Sequence, residues 1–395
     1  MQRQWWFAAL MVSGVLELRA ETVLVLPFFN QSKSANSANV DWIGESISEA
    51  LRESLISEGV LALEREDRLE AFRRLSLRSN TVLTRASIIK TGEALDASEV
   101  VYGHYDLTPA GLDSSGSRGV LRIGARVLSL KRLKQGQELE ESGAVEDLAA
   151  LEARLSWQAL KELSVDTAPE EEFLRARPRV RLDALESYIR GLLAANPEQQ
   201  HRFFTQAARL DATYSQPCFQ LGKSYWRKKD YRDAAGWLGR VQRSDPHYLE
   251  AQFFLGLCYY QMGDYMASAK CFGTVAATVP LNEVYNDLGA AQTRSNLTAA
   301  IESFRKALEG DSADPDYRFN LGYALWKAGQ FPAAADSFRA VLERSPNDEE
   351  AAALLSHAER RELFRPGSEG HERLKTNYEE TAYRQLKAEL HRVSP

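Results

Sequence analysis

Between Phe219 and Pro346 the apolar and small residues return in sets spaced for a helix face, and the sets themselves recur. Leu221, Gly222 and Tyr225 share one face of a first helix; Ala234, Leu238 and Val241 share one face of a second, which stops at Pro246. From Phe253 the order repeats with Gly256, Tyr259 and Phe272 and stops at Pro280. Leu288-Gly289, Ala300, Phe304 and Ala307 make another copy, and Gly322, Ala334, Phe338 and Val341 a further one ending at Pro346. Upstream, Tyr188 to Asp211 reads as a shortened first copy, with Phe204, Ala207 and Leu210 on its second helix. Glycine and alanine at the facing positions let paired helix axes approach closely. Gly263 and Gly329 sit where the chain must leave a helix left-handed, and Asp314-Pro315 opens a helix as cap and first position. One hairpin cannot bury both its faces, so the copies must stack. The pattern predicts an all-α solenoid of paired antiparallel helices over 182–348, about five pairs with the first atypical, and capping helices over 349–395. A cap helix is expected over Asp348–Phe364. After the break Arg365-Pro366-Gly367, a last helix is expected from His371 to Arg392, packing back through Leu374, Tyr378, Tyr383, Leu386 and Leu390.

Residues 21–166 follow a different pattern. Thr22–Pro27 is a short apolar run that suits a buried strand, and Asp41 is placed to cap an amphipathic helix, Trp42 to Ser57, with Ile43, Ile47, Leu51 and Leu55 on one face. Val60–Leu63 reads as a strand; Asp67–Leu75, Ser87–Leu95 and Glu146–Leu163 read as helices. Glu99–Leu107 and Val120–Leu128 read as paired antiparallel strands around the Gly111–Gly119 loop. In the second strand Val120, Arg122, Gly124 and Arg126 alternate with Leu121, Ile123, Ala125 and Val127, which leaves one face wet. This predicts an α+β domain, a mixed sheet with flanking helices, joined to the solenoid by a linker over 167–181.

At the amino end a short positive region precedes the apolar run Trp5–Leu16, and Leu18-Arg19-Ala20 offers a cleavage site. Residues 1–20 read as a signal peptide, with an uncleaved anchor as the alternative, and the expected location is the periplasm or cell envelope. The net charge of −6 provides no field for nucleic acid, so no nucleic-acid partner is expected. Cys218, Cys258 and Cys271 lack zinc spacing and read as buried thiols.

The Leu-Gly, Tyr, Ala, Phe and Pro positions quoted above resemble the tetratricopeptide repeat. That resemblance implies protein binding, and it places a second face of the first helices along a concave groove. Here that face carries Phe219, Lys223 and Trp226; Phe253, Leu257 and Tyr260; Phe319, Tyr323 and Trp326; with Arg227, Arg294 and Lys327 adding positive charge. For any one of these rings, packing between neighbouring copies is the favoured reading. The stripe as a whole points to a groove, because the inner faces are already supplied. In the chaperone-binding version of the repeat a lysine and asparagine clamp holds a terminal carboxylate; Phe219 with Lys223, or Phe319 with Tyr323, stands there instead. The first domain resembles the amino-terminal domain of TolB and the related FlgO and curli-secretion (CsgG) envelope domains. The likeness is carried by Val25-Leu26-Pro27-Phe28, Asp41–Ile47, Asp96–Gly103 and Leu121–Val127. It implies docking to other envelope proteins.

Six scattered histidines form no HExxH, and no GxSxG, phosphate-binding or dinucleotide-binding loop occurs. Asp41 and Glu45 read as a cap and a solvated glutamate, Glu170–Glu172 as solvated linker, and Asn296 as a turn residue. The expectation is a non-enzymatic envelope scaffold without cofactor or metal. It would bind an unidentified protein partner, with possible envelope or outer-membrane association through another protein. An oligomeric assembly or secretion factor, or an accessory subunit of an envelope enzyme, are the alternatives.

Overall fold

The computed structural model describes residues 22–32, 40–78, 82–109, 118–177, 179–363 and 372–393. The expected leader, most of the Gly111–Gly119 loop and the Arg365-Pro366-Gly367 break lie outside the described residues.

Strands β1 (Thr22–Val25), β2 (Phe29–Asn30), β3 (Leu61–Ala62), β4 (Glu99–Pro109), β5 (Gly119–Ser129), β6 (Lys134–Gln135) and β7 (Leu139–Ala144) form a mixed sheet of order β3-β1-β4-β5-β6. In addition, β2 pairs with β4 and β7 with β5. Parallel pairing of β1 with β3 and β4 gives way to antiparallel pairing of β4 with β5, in register from Glu99 opposite Ser129 to Pro109 opposite Gly119. Helices α1 (Trp42–Ser57), α2 (Arg65–Arg74), α3 (Arg85–Ala94) and α4 (Leu148–Glu162) flank the sheet. Successive side chains point to opposite faces. Val23, Val25, Val101, Ile123 and Val127 therefore join the core under α1 and α4, while Leu24, Leu26, Val100 and Leu128 pack with Phe72 of α2 and Ile88 of α3.

Two local expectations are corrected. The Asp41 side chain makes no cap hydrogen bond; it accepts from Asn30 Nδ2 at 2.9 Å. Glu45 is buried rather than solvated, because Arg65 and Arg68 of α2 reach over and pair with its carboxylate. The expected linker contains a short helix, α5 (Glu170–Arg175), whose buried Phe173 lies 3.7 Å beneath the Arg177 guanidinium. Arg177 in turn pairs with Glu58 at the end of α1.

The solenoid comprises the pairs α6 (Leu182–Leu193) and α7 (Pro197–Leu210), α8 (Ser215–Arg227) and α9 (Tyr231–Leu238), α10 (Tyr248–Gln261) and α11 (Tyr265–Ala276), α12 (Asn282–Gln292) and α13 (Leu297–Gly310), α14 (Pro315–Lys327) and α15 (Phe331–Arg344). Helix α16 (Glu349–Glu359) covers the last pair. Within pairs the first helix meets the second at a glycine: a Cβ on Gly289 would stand 2.7 Å from the Phe304 ring, and one on Gly222 2.5 Å from Leu238. Gly263 (φ 81°) and Gly329 (φ 73°) make the left-handed turn into the second helix. Asp230, Asp264, Asn296, Asp314 and Asp348 accept hydrogen bonds from the first-turn amides of the helices they open. One hydrophobic cluster runs without interruption from the sheet through α6 to α12.

The largest departure is at the carboxyl end. Helix α17 runs from Glu380 to Val393, not from His371, and residues 372–379 carry no regular secondary structure. Their backbone groups bond to side chains of the repeats instead.

Candidate functional site

The first helices α12 and α14 present polar side chains at positions that sequence periodicity assigned to no face. Asn286 and Asn320 stand 34 residues apart at equivalent repeat positions and are linked, Asn320 Nδ2 donating to Asn286 Oδ1 at 2.7 Å. Asn286, Asn320 and the adjacent Asp287 are fully buried. They are buried because residues 372–379 lie across them.

The contacts run residue by residue. Both asparagines donate from Nδ2 to the Arg373 carbonyl at 2.8 Å, and Asn320 Oδ1 accepts the Arg373 amide at 2.8 Å. Asp287 Oδ1 accepts the Lys375 amide at 2.9 Å, and Glu283 Oε1 accepts the Glu379 amide at 3.0 Å. The segment is thus read through its backbone, a mode that fixes register and is indifferent to side-chain identity.

Side chains add selectivity. Glu372, whose side chain is fully buried, accepts from Thr293, from Tyr260 Oη at 2.9 Å and from Arg294 at 2.9 Å. The Arg373 guanidinium lies 3.6 Å over the Phe319 ring and donates two bonds to Asp348 at 2.7 and 2.9 Å, with Glu350 at 3.3 Å. Leu374 packs into the core cluster. Lys375 Nζ stands 2.8 Å from both Asp314 and Asp316, over the Tyr317 ring. Tyr378 rests against Phe253 at 5.4 Å between ring centroids. Asp348 is held below the usual carboxylate range by its bonds to Arg373, whereas burial pushes Asp287 well above it.

The twelve residues expected to line the groove divide by position. Phe253, Tyr260, Arg294 and Phe319 touch the extended segment. Phe219 and Lys223 are wedged between α8 and α10: the Phe219 ring stacks on His247 at 4.6 Å, and Lys223 pairs with Glu250 at 2.8 Å. Trp226 packs on Tyr231 and Phe254, and Leu257 is buried in the core. Trp326 is buried against His357 of α16 and donates to the Glu362 carbonyl at 2.8 Å. Tyr323 lies between Trp326 and Lys327, and Arg227 is exposed. Asn286, Asp287, Asn320 and Asp316 stand at no expected site position, and Asp314 and Asp348, expected only at helix starts, also take Lys375 and Arg373. The one available signal was a polar residue at the same point of consecutive first helices, 286 and 320.

A second buried polar region lies where the α/β domain meets the array. A cavity of about 170 Å³ is lined by Glu49, Glu53, Glu152, Tyr188, Tyr214 and Asp245, among others. Burial pushes Glu53 up to about 7 against the opposing pull of Arg52, and pushes Glu152 up to about 8. Among the described residues no group of three or more His, Cys, Asp and Glu could hold a metal ion. All three cysteines are buried and free.

Comparison with known proteins bears on the array. Segments 219–272, 259–315 and 289–349 match the tetratricopeptide repeat family model. The array carries tetratricopeptide repeats. Among solved structures it is similar to YrrB, a TPR protein with an unusual peptide-binding site (17% identity over 45% of this chain and 92% of that one, TM-score 0.41). It is also similar to MamA from Desulfovibrio magneticus RS-1 (25% identity over 40% of this chain and 92% of that one, TM-score 0.36). A further MamA structure matches at 18% identity over 45% of this chain and 90% of that one, with a TM-score of 0.36. Repeats of this kind form a scaffold for protein–protein interaction.

Proposed function

We propose that this protein is a non-enzymatic, exported interaction scaffold of the bacterial cell envelope. Its repeats hold an extended peptide along the α10–α12–α14 face, while its α/β domain, which resembles the TolB, FlgO and CsgG amino-terminal domains, docks to another envelope protein. The observation that supports the first half is the seating of residues 372–379: buried asparagine and aspartate side chains satisfy a strand's backbone, and flanking acids and rings take its side chains. Export rests on the leader-like residues 1–20. Groove contacts assigned to Phe253, Tyr260, Arg294 and Phe319 belong to this reading.

The test is photo-crosslinking in intact cells from a reactive residue placed at Lys327, which is half-buried beside Tyr323. A discrete envelope protein attached at that position is the expected product. Attachment to this chain's own tail alone would remove the scaffold reading.

A further inference from the structure

Residues 372–375 are seated by polar and charged side chains of the repeats. Four successive residues fill four distinct sockets: Thr293, Tyr260 and Arg294 for a carboxylate; Phe319 with Asp348 for a guanidinium; the inter-repeat core for a leucine; Asp314 and Asp316 for an ammonium. The sockets of Glu372, Arg373 and Lys375 carry the charge opposite to their occupants, and the backbone between is held by Asn286, Asn320 and Asp287. The occupant belongs to the same chain, and α17 beyond it reaches back to the β3 edge of the α/β domain.

We propose that Glu372–Lys375 is a resident competitor for the groove, and that the outside ligand is an extended segment of another protein carrying the same order: an acid, a basic residue, an aliphatic residue and a basic residue. This rests on the scaffold reading and names the ligand that reading leaves open. Tethering gives the tail an effective concentration on the order of millimolar. A free segment of equal intrinsic affinity therefore fails to enter at micromolar concentration, and a ligand enters only by exceeding the tail's contacts or after the tail is drawn away. The contacts are mixed: ion pairs and polar bonds, with Leu374 in the core and the Phe319, Tyr317 and Phe253 rings beneath Arg373, Lys375 and Tyr378.

The experiment uses the full chain and a fluorescent synthetic peptide of sequence ERLKTNYE, the probe being this segment itself. Fluorescence anisotropy is read for the unaltered chain, for R373A/K375A, and for R373A/K375A with N320A. The unaltered chain should bind the probe at least tenfold more weakly than R373A/K375A, and N320A should abolish the gain. Because Asn320 is buried, a second groove variant, Asp316→Asn in the R373A/K375A background, is measured too and should weaken the probe several-fold while helical content is retained. Equal binding by the unaltered and R373A/K375A chains, or equal binding of a scrambled probe, overturns the proposal. Light scattering separates one further case: a dimer of the unaltered chain that R373A/K375A dissolves would assign the groove to a second copy and overturn it. Probe binding in vitro with no partner crosslinked in cells would fail the scaffold reading while leaving the ligand chemistry standing.

Discussion

Replacing Arg373 with Ala removes a side chain that ties the segment to both α14 and the start of α16. Its guanidinium makes two charge-assisted bonds to Asp348, at 2.7 and 2.9 Å, and covers the Phe319 ring at 3.6 Å. The side chain is about a quarter exposed (24%), so solvent screens the ion pair in part. A forked, partly screened pair contributes about 2 kcal/mol and the ring contact about 1 kcal/mol. Their loss, about 3 kcal/mol, shifts the seated-to-released ratio by a factor of roughly 100. Amide hydrogen exchange reads this directly, because the amide of Lys375 is protected by Asp287 only while the segment is seated. In R373A that amide should exchange about 100-fold faster, with the core of α10 unaffected. Unchanged exchange at Lys375 in a folded R373A protein would refute the assignment of Arg373 as the main anchor.

Three further outcomes follow from the geometry. Gly289→Ala should cost about 1–3 kcal/mol in urea unfolding, because the new methyl lies 2.7 Å from the Phe304 ring in a packed core; an unchanged midpoint would mean the pair can separate freely. Glu53 and Glu152 are raised above their unfolded value of about 4.5, so their folded forms favour the proton. That stability is fully present below about pH 4.5 and is lost as pH rises through 7 to 8, at about 1.4 kcal/mol per pKa unit, and His247, also raised, acts in the same direction. Unfolding at pH 5.5 and 8.5 should show the decline, and Glu152→Gln should flatten it; a rise toward pH 8.5 would contradict the burial argument. Asp287, which burial pushes toward the protonated form, should tolerate Asn, which keeps an acceptor for the Lys375 amide, but not Leu. Lys375 exchange distinguishes the two.

Elements governed by local periodicity were legible in the sequence. Helix α1 runs over the residues its apolar stripe marks, Trp42 to Ser57, and β4 and β5 pair where alternation places them. Strand β7 was missed because Leu139-Glu-Glu-Ser-Gly-Ala144 is polar on both faces; it pairs along β5, beside Arg154 and Gln158 of α4, which take Glu141. The extended tail was missed for a different reason. Leu374 and Tyr378 have helical spacing, and nothing within a turn of them shows that Asn286, Asp287 and Asn320, 53 to 88 residues away along the chain, will take the backbone hydrogen bonds a helix would otherwise make internally. Likewise, aromatic spacing could not tell Phe319, which faces the tail, from Trp326, which faces α16.

The claim on which the account depends is that the α12–α14 face reads an extended backbone. It is tested most directly by isotope-edited nuclear Overhauser contacts between the side-chain amides of Asn286 and Asn320 in the R373A/K375A chain and added ERLKTNYE peptide. Contacts to the peptide's second residue are expected, as the tail makes in cis through Arg373; a bound peptide with no contact to either asparagine would contradict the claim.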